Sequence, residues 1–148
     1  MKMKVNIHLL ENGKHPQKQT SGSSGYDLFA AQKCVLEPGK VQVIKLGFII
    51  EIPLGYEAQI RSRSGLAMKN QLFVLNSPGT IDSDYRQEVG CLLMNLGNNS
   101  FEIEMHMRIA QMIFAKVESV EFENVDTFLK DEAEGSRTSG WGSTGVLG

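Results

Sequence analysis

The run Arg61-Ser62-Arg63-Ser64-Gly65-Leu66 brings two guanidinium groups, a hydroxyl and a glycine close together. Arginine forks bind phosphate oxygens bidentately, and free backbone N–H groups at a helix start attract anions. The spacing places both arginines on one strand face, ahead of a helical turn over Gly65–Gln71 that Ser64 caps. The residues alone leave a phosphate site and a solvated basic strand end equally open. A second run, from Asn76 to Tyr85, combines turn residues with the carboxylates Asp82 and Asp84 and one aromatic. It reads as a hairpin pocket with a catalytic acid or base, or as a plain turn whose Asp and Ser side chains bond their own backbone. Asp82-Ser83-Asp84 as a metal motif ranks below both. Asp27, entering an apolar run after Gly22-Ser23-Ser24-Gly25-Tyr26, holds a metal-bound water or caps a turn. Taken alone, the cap ranks first. His8, His15 and His106 share no ligand spacing, which argues against a histidine-built metal centre.

The elements that must position these groups read as strands. Phe101, Ile103, Met105 and Met107 alternate with Glu102, Glu104, His106 and Arg108, the period-two pattern of a half-buried strand. Tyr56, Ala58 and Ile60 alternate with Glu57, Gln59 and Arg61, and Val41, Val43 and Leu46 form a looser version. Val89–Leu96 and Ile109–Val117 read as more fully buried strands. Turn signals punctuate these runs at Glu37–Lys40, Pro53–Gly55, Ser77–Gly79 and Gly97–Asn99. That rhythm predicts an all-β sandwich or jelly roll with one short helix. Met68, Met94, Met105, Met107 and Met112 read as core filler.

Composition narrows the partners. The length of 148 residues suits one domain. Fifteen basic against 17 acidic residues give a net charge of −2, so no global field attracts nucleic acid or an anionic membrane surface. No apolar run approaches the ~20 residues that span a bilayer, and the first residues lack the apolar stretch of a signal peptide. Cys34 and Cys91 lie far apart, which argues against a disulfide scaffold and against zinc. A reducing, cytoplasmic setting is the expectation. The chain divides into a β domain over residues 1–134 and a glycine-rich arm over 135–148. By composition that arm is disordered. It also carries the only tryptophan, Trp141 between Gly140 and Gly142, an aromatic that can close over a flat ligand.

In this order, five segments resemble the motifs of the homotrimeric dUTP pyrophosphatases: Gly25–Ala31, Arg63–Ala67, Gly79–Arg86, Arg108–Ile113 and Gly140–Gly145. The resemblance implies a β jelly roll, three subunits with shared sites, and Mg²⁺-dependent hydrolysis of dUTP to dUMP and pyrophosphate. Such an activity supplies dUMP for thymidylate synthesis and keeps uracil out of DNA. It assigns Asp82 as the base that orients and deprotonates the attacking water. Arg63, Ser64, Gly65 and Gln111 become phosphate ligands, and Asp27 a contact to Mg²⁺ through water. The hairpin Asn76–Gly90 becomes the uracil reader, with Asn76, Gly79, Thr80, Ile81 and Gly90 around the base and Tyr85 under the deoxyribose. Trp141, with Gly142 and Ser143, takes the place of the arm's usual phenylalanine. The arm's usual arginine falls on Ser136, and Arg137, one residue later, is the γ-phosphate candidate. The alternatives are a dCTP deaminase of the same superfamily, for which Glu88 is the nearest glutamate, and a non-catalytic nucleotide-binding trimer.

Overall fold

The computed structural model describes residues 3–126. Eleven short strands and one helix follow in the order β1 (Asn6–Leu9), β2 (Tyr26–Phe29), β3 (Cys34–Leu36), β4 (Val41–Lys45), β5 (Phe48–Glu51), β6 (Tyr56–Arg61), α1 (Ser64–Asn70), β7 (Leu72–Val74), β8 (Gly79–Ile81), β9 (Gly90–Asn95), β10 (Phe101–Ile103) and β11 (Arg108–Lys116). The all-β expectation with one short helix holds. Every strand pairing is antiparallel. The two larger sheets run β2-β11-β6-β8 and β4-β9-β7, and the pairs β1-β5 and β10-β3 complete the fold. Leu28, Ala58, Ile60, Ala110 and Met112 from the first sheet, and Ile44, Leu72, Val74, Cys91 and Leu93 from the second, belong to one buried cluster. Two sheets that share one apolar interior hold their edges in fixed relation, and those edges carry the candidate site.

Local sequence accounts for most element bounds. In β6, Ala58 and Ile60 are buried and Arg61 is exposed, as the alternation requires. β9 alternates too: Cys91, Leu93 and Asn95 point inward and Leu92 and Met94 are half-buried, so it is less fully buried than expected. Inward-facing Asn95 is satisfied, because its amide donates to the Leu36 carbonyl at 2.8 Å and the Asn99 carbonyl at 2.9 Å. The alternation predicted through Met107 stops at Ile103. There the chain turns, with Met107 N–H on the Glu104 carbonyl and His106 in the left-handed region at φ 63°. Of the five methionines read as core, only Met112 is fully buried, and Met68 lies exposed on α1.

Both cysteines are free thiols. Burial pushes the Cys91 thiol from its ordinary 9.0 up to about 12. The neutral thiol is therefore the form the fold favours. The stability it contributes is present below pH 9 and is lost as pH rises toward 12. A maleimide at neutral pH is expected to label only half-buried Cys34 in the folded protein and both thiols in denaturant. Mass spectrometry of the adducts reads this directly, and native labelling of Cys91 contradicts the burial argument.

Candidate active site

Three groups of predicted residues come together on separate parts of the framework. The first surrounds Asp27 on β2, a carboxylate only 8% exposed. Its Oδ1 lies 3.1 Å from Arg63 Nε and its Oδ2 3.2 Å from Arg108 Nη1. Arg63 closes the triangle by donating from Nη1 to the Arg108 carbonyl at 2.9 Å. Asp27 thus caps no turn; it fixes two guanidinium groups at the start of α1. Arg108, which opens the fourth motif but has no role in the sequence analysis, is brought here by the β2–β11 register, which sets Arg108 and Gln111 of β11 opposite Phe29 and Asp27.

The helix start departs from expectation. Arg63, with extended backbone at φ −93° and ψ 125°, occupies the N-cap position and makes no side-chain cap, while Ser64 is already helical. The two arginines also diverge. Arg61 bonds Gln59 on its own strand, and only Arg63 reaches Asp27. A Cβ on Gly65 would meet nothing within 4 Å, so no packing among the described residues requires this glycine. Gln111 braces the turn before the helix by donating from Nε2 to the Ser62 carbonyl at 2.9 Å. Gly25 permits this, because an added Cβ would lie 2.2 Å from Gln111 Oε1. Gly25→Ala is expected to displace the Gln111 amide and weaken substrate binding, read as a raised KM with little change in melting temperature. An unchanged KM removes Gln111 from the site.

The second group lines a cleft of about 60 Å³ where the two larger sheets part. Asn76, Gly79, Thr80, Ile81 and Gly90 surround it, over an apolar floor of Ile60, Val74 and Cys91. The segment is not the predicted hairpin. β8 pairs with β6, while β9 pairs with β4 and β7, so the chain crosses from one sheet to the other between them. β8 is only three residues long and ends in the turn that Tyr85 N–H closes on the Asp82 carbonyl at 3.2 Å. An added Cβ at Gly79 would press on the Asn76 amide at 3.2 Å, so glycine keeps the cleft open there.

The third group is Asp82 with Tyr85. Asp82 is exposed and borders a groove with Gly55, Glu57 and Val117. The pairing of Ile81 with Ala58 puts Asp82 level with Glu57, whereas Asp27 lies level with Gln111 and Arg61. Four residues along a strand (~13 Å) and three strand spacings (~14 Å) separate the backbone at Asp82 from that at Asp27 by roughly 20 Å. Asp82 therefore does not reach the Asp27–Arg63 cluster of its own chain. Arg137, Trp141, Gly142 and Ser143 lie outside the described residues.

Among the described residues, no group of three or more His, Cys, Asp or Glu side chains could hold a metal ion. Asp27 nevertheless suits an outer contact to Mg²⁺. Each of its oxygens spends one lone pair on an arginine and keeps another for a water. A hard ion held mainly by phosphate oxygens and waters needs no more from the protein.

A small all-β fold with one short helix, an arginine-bound carboxylate and a cleft between two sheets defines the class of protein. A family model for dUTPase matches residues 11–145. The deoxyuridine 5′-triphosphate nucleotidohydrolase of Orientia tsutsugamushi is 47% identical over 150 residues, 99% of each chain. Its counterpart in Rickettsia bellii is 48% identical over 146 residues, 96% of this chain and 95% of that one. Among solved structures, the Staphylococcus bacteriophage 80alpha dUTPase with dUpNHpp superposes with a TM-score of 0.86 at 29% identity, covering 97% of this chain and 99% of that one. The dUTPase of phage phi11 of S. aureus, a mutant described with a structural Mg(II) ion, superposes with a TM-score of 0.79 at 26% identity, covering 84% and 98%. The chain belongs to the dUTPase family.

Proposed function

We propose that this chain hydrolyses dUTP to dUMP and pyrophosphate, with water attacking the α-phosphorus. The observation that carries the reading is the cleft where Asn76, Gly79, Thr80, Ile81 and Gly90 meet, with Asp82 on the same run of chain. Backbone around such a cleft can offer the complement of uracil's O2, N3–H and O4. Cytosine reverses that pattern and leaves buried groups unpaired, which can discriminate by ~10⁴-fold. Asp82 takes the proton of the attacking water as the new P–O bond forms, and the bond to the bridging oxygen breaks to release pyrophosphate. A positioned base contributes ~10²–10⁴-fold. The rest comes from charge neutralisation by Arg63, Gln111 and the backbone at Ser64 and Gly65. Mg²⁺, when bound, neutralises phosphate charge, with Asp27 as its contact through water. In this reading Arg137 is the γ-phosphate contact, and Trp141, with Gly142 and Ser143, serves the base.

The working unit in this reading is a homotrimer with shared sites. The ~20 Å between Asp82 and Asp27 supports it, because a triphosphate site needs both groups and one chain holds them apart. Light scattering tests the assembly. The setting is cytoplasmic, consistent with two free thiols, and no described helix is long and apolar enough to cross a membrane. The deaminase alternative loses ground, because Glu88 turns its carboxylate to Gly47 and Lys45 and does not line the cleft. Pyrophosphate release from dUTP, dTTP, dCTP and UTP in parallel tests the activity. Selective release from dUTP is the expected result, and ammonia from dCTP would sink it.

A further inference from the structure

Asp82 and Tyr85 sit on a stretch that the core does not shape. Between buried Ile81 and buried Val89 no residue is buried, and the chain belongs to no strand from Asp82 to Val89. The near end is pinned by the pairing of Ile81 with Ala58, and the far end by Val89 N–H on the Phe48 carbonyl at 2.9 Å. Between these points hydrogen bonds must set the path, and the Arg86 side chain supplies two of them. Its Nη1 carries two N–H groups, and it donates to the Ser83 carbonyl at 2.7 Å and to the Tyr85 carbonyl at 3.0 Å. Among the described residues neither carbonyl has another partner. The N–H groups of the same two peptides, those of Asp84 and Arg86, donate to no described residue. The guanidinium therefore draws together the peptide that follows Ser83 and the peptide that follows Tyr85, on either side of the N–H that closes the turn on the Asp82 carbonyl. It is itself aimed from β5: Nη2 lies 3.6 Å from Glu51 Oε1, and Glu51 Oε2 accepts from the Asn6 amide of β1 at 2.7 Å. The side chains of Arg86 and Glu51 are both about half exposed, and exposed ion pairs contribute little, so the two carbonyl bonds are the effective clasp.

We propose that Arg86 is a positioning residue: by clasping the Ser83 and Tyr85 carbonyls it holds the Asp82 carboxylate where it meets the attacking water. The inference rests on the reading of Asp82 as the base of a dUTP hydrolase. The test is a double-mutant cycle read by single-turnover rates for dUTP, beside equilibrium binding of a non-hydrolysable dUTP analogue. Arg86→Ala is expected to slow turnover about tenfold or more, because a small misplacement of a reacting group is costly. Affinity for the analogue is expected to stay within about threefold, since the cleft is framed by β8 and β9, which keep their own ladders. In an Asp82→Asn background the same change is expected to cost less than about twofold, because no base is left to place. Arg86→Lys keeps the charge without the fork and is expected to recover only part of the rate. Glu51→Ala is expected to leave the rate unchanged. A parental rate in Arg86→Ala overturns the proposal. So does a parental rate in Arg86→Lys, which makes charge and not the clasp the cause and which also decides the matter should the alanine variant not fold. An equal loss in both backgrounds, or a Glu51→Ala loss as large as that of Arg86→Ala, overturns it too. A parent chain that does not turn over dUTP, or an Asp82→Asn variant with full turnover, overturns the reading beneath it instead.

Discussion

Asp82→Asn keeps its affinity for dUTP and loses turnover by roughly 10²–10⁴-fold, the range of a positioned base, or about 3–5 kcal/mol of barrier. The substitution preserves shape and removes proton affinity, so binding and chemistry separate cleanly. The fold has no stake in this carboxylate, because Asp82 is exposed and the hydrogen bond that closes its turn uses its backbone carbonyl. The melting temperature should therefore stay at the parental value. Single-turnover kinetics beside equilibrium binding of a non-hydrolysable dUTP analogue checks the result. Full turnover in Asp82→Asn would move the base elsewhere while leaving the family assignment intact.

Asp27→Asn should damage two properties at once. An amide at this position turns an NH₂ group toward a guanidinium that now has an oxygen at 3.1 or 3.2 Å. Hydrogen bonds to charged groups are worth about 1.5–3 kcal/mol each. The arginines are partly solvated, Arg108 more so than Arg63, so the stability loss falls near the low end of ~1–3 kcal/mol. Catalysis should fall further, by roughly 10–100-fold in kcat/KM, as for other groups that orient ligands around a metal. Part of that loss should yield to a higher Mg²⁺ concentration. Thermal unfolding and a Mg²⁺ titration of initial rates read the two effects apart. Parental kinetics with a lowered melting temperature would make Asp27 purely structural.

Periodicity and turn chemistry made the framework legible wherever the signal was local. β6 follows from Tyr56, Ala58 and Ile60, and the helix from Leu66–Lys69. The pairings were not legible. Asp27 meets Arg108 across 81 positions of sequence, and nothing in either neighbourhood announces the other. The helix start misled because Ser64 is a good capping residue, yet Arg63 takes that position with its side chain drawn to Asp27. The hairpin misled because a turn between two strands usually joins partners, whereas here it joins neighbours in different sheets. The cleft residues were named from the resemblance to a family. Composition and spacing alone left that segment open between a pocket and a plain turn.

The distance that keeps Asp82 away from Arg63 has a genetic reading. If every site draws the two from different chains, two inactive alleles can rescue one another. A chain carrying Asp82→Asn still donates its arginine cluster, and a chain carrying Arg63→Ala still donates its carboxylate. Random mixing of equal amounts would rebuild about a quarter of the sites from two intact halves. Each allele alone would be silent.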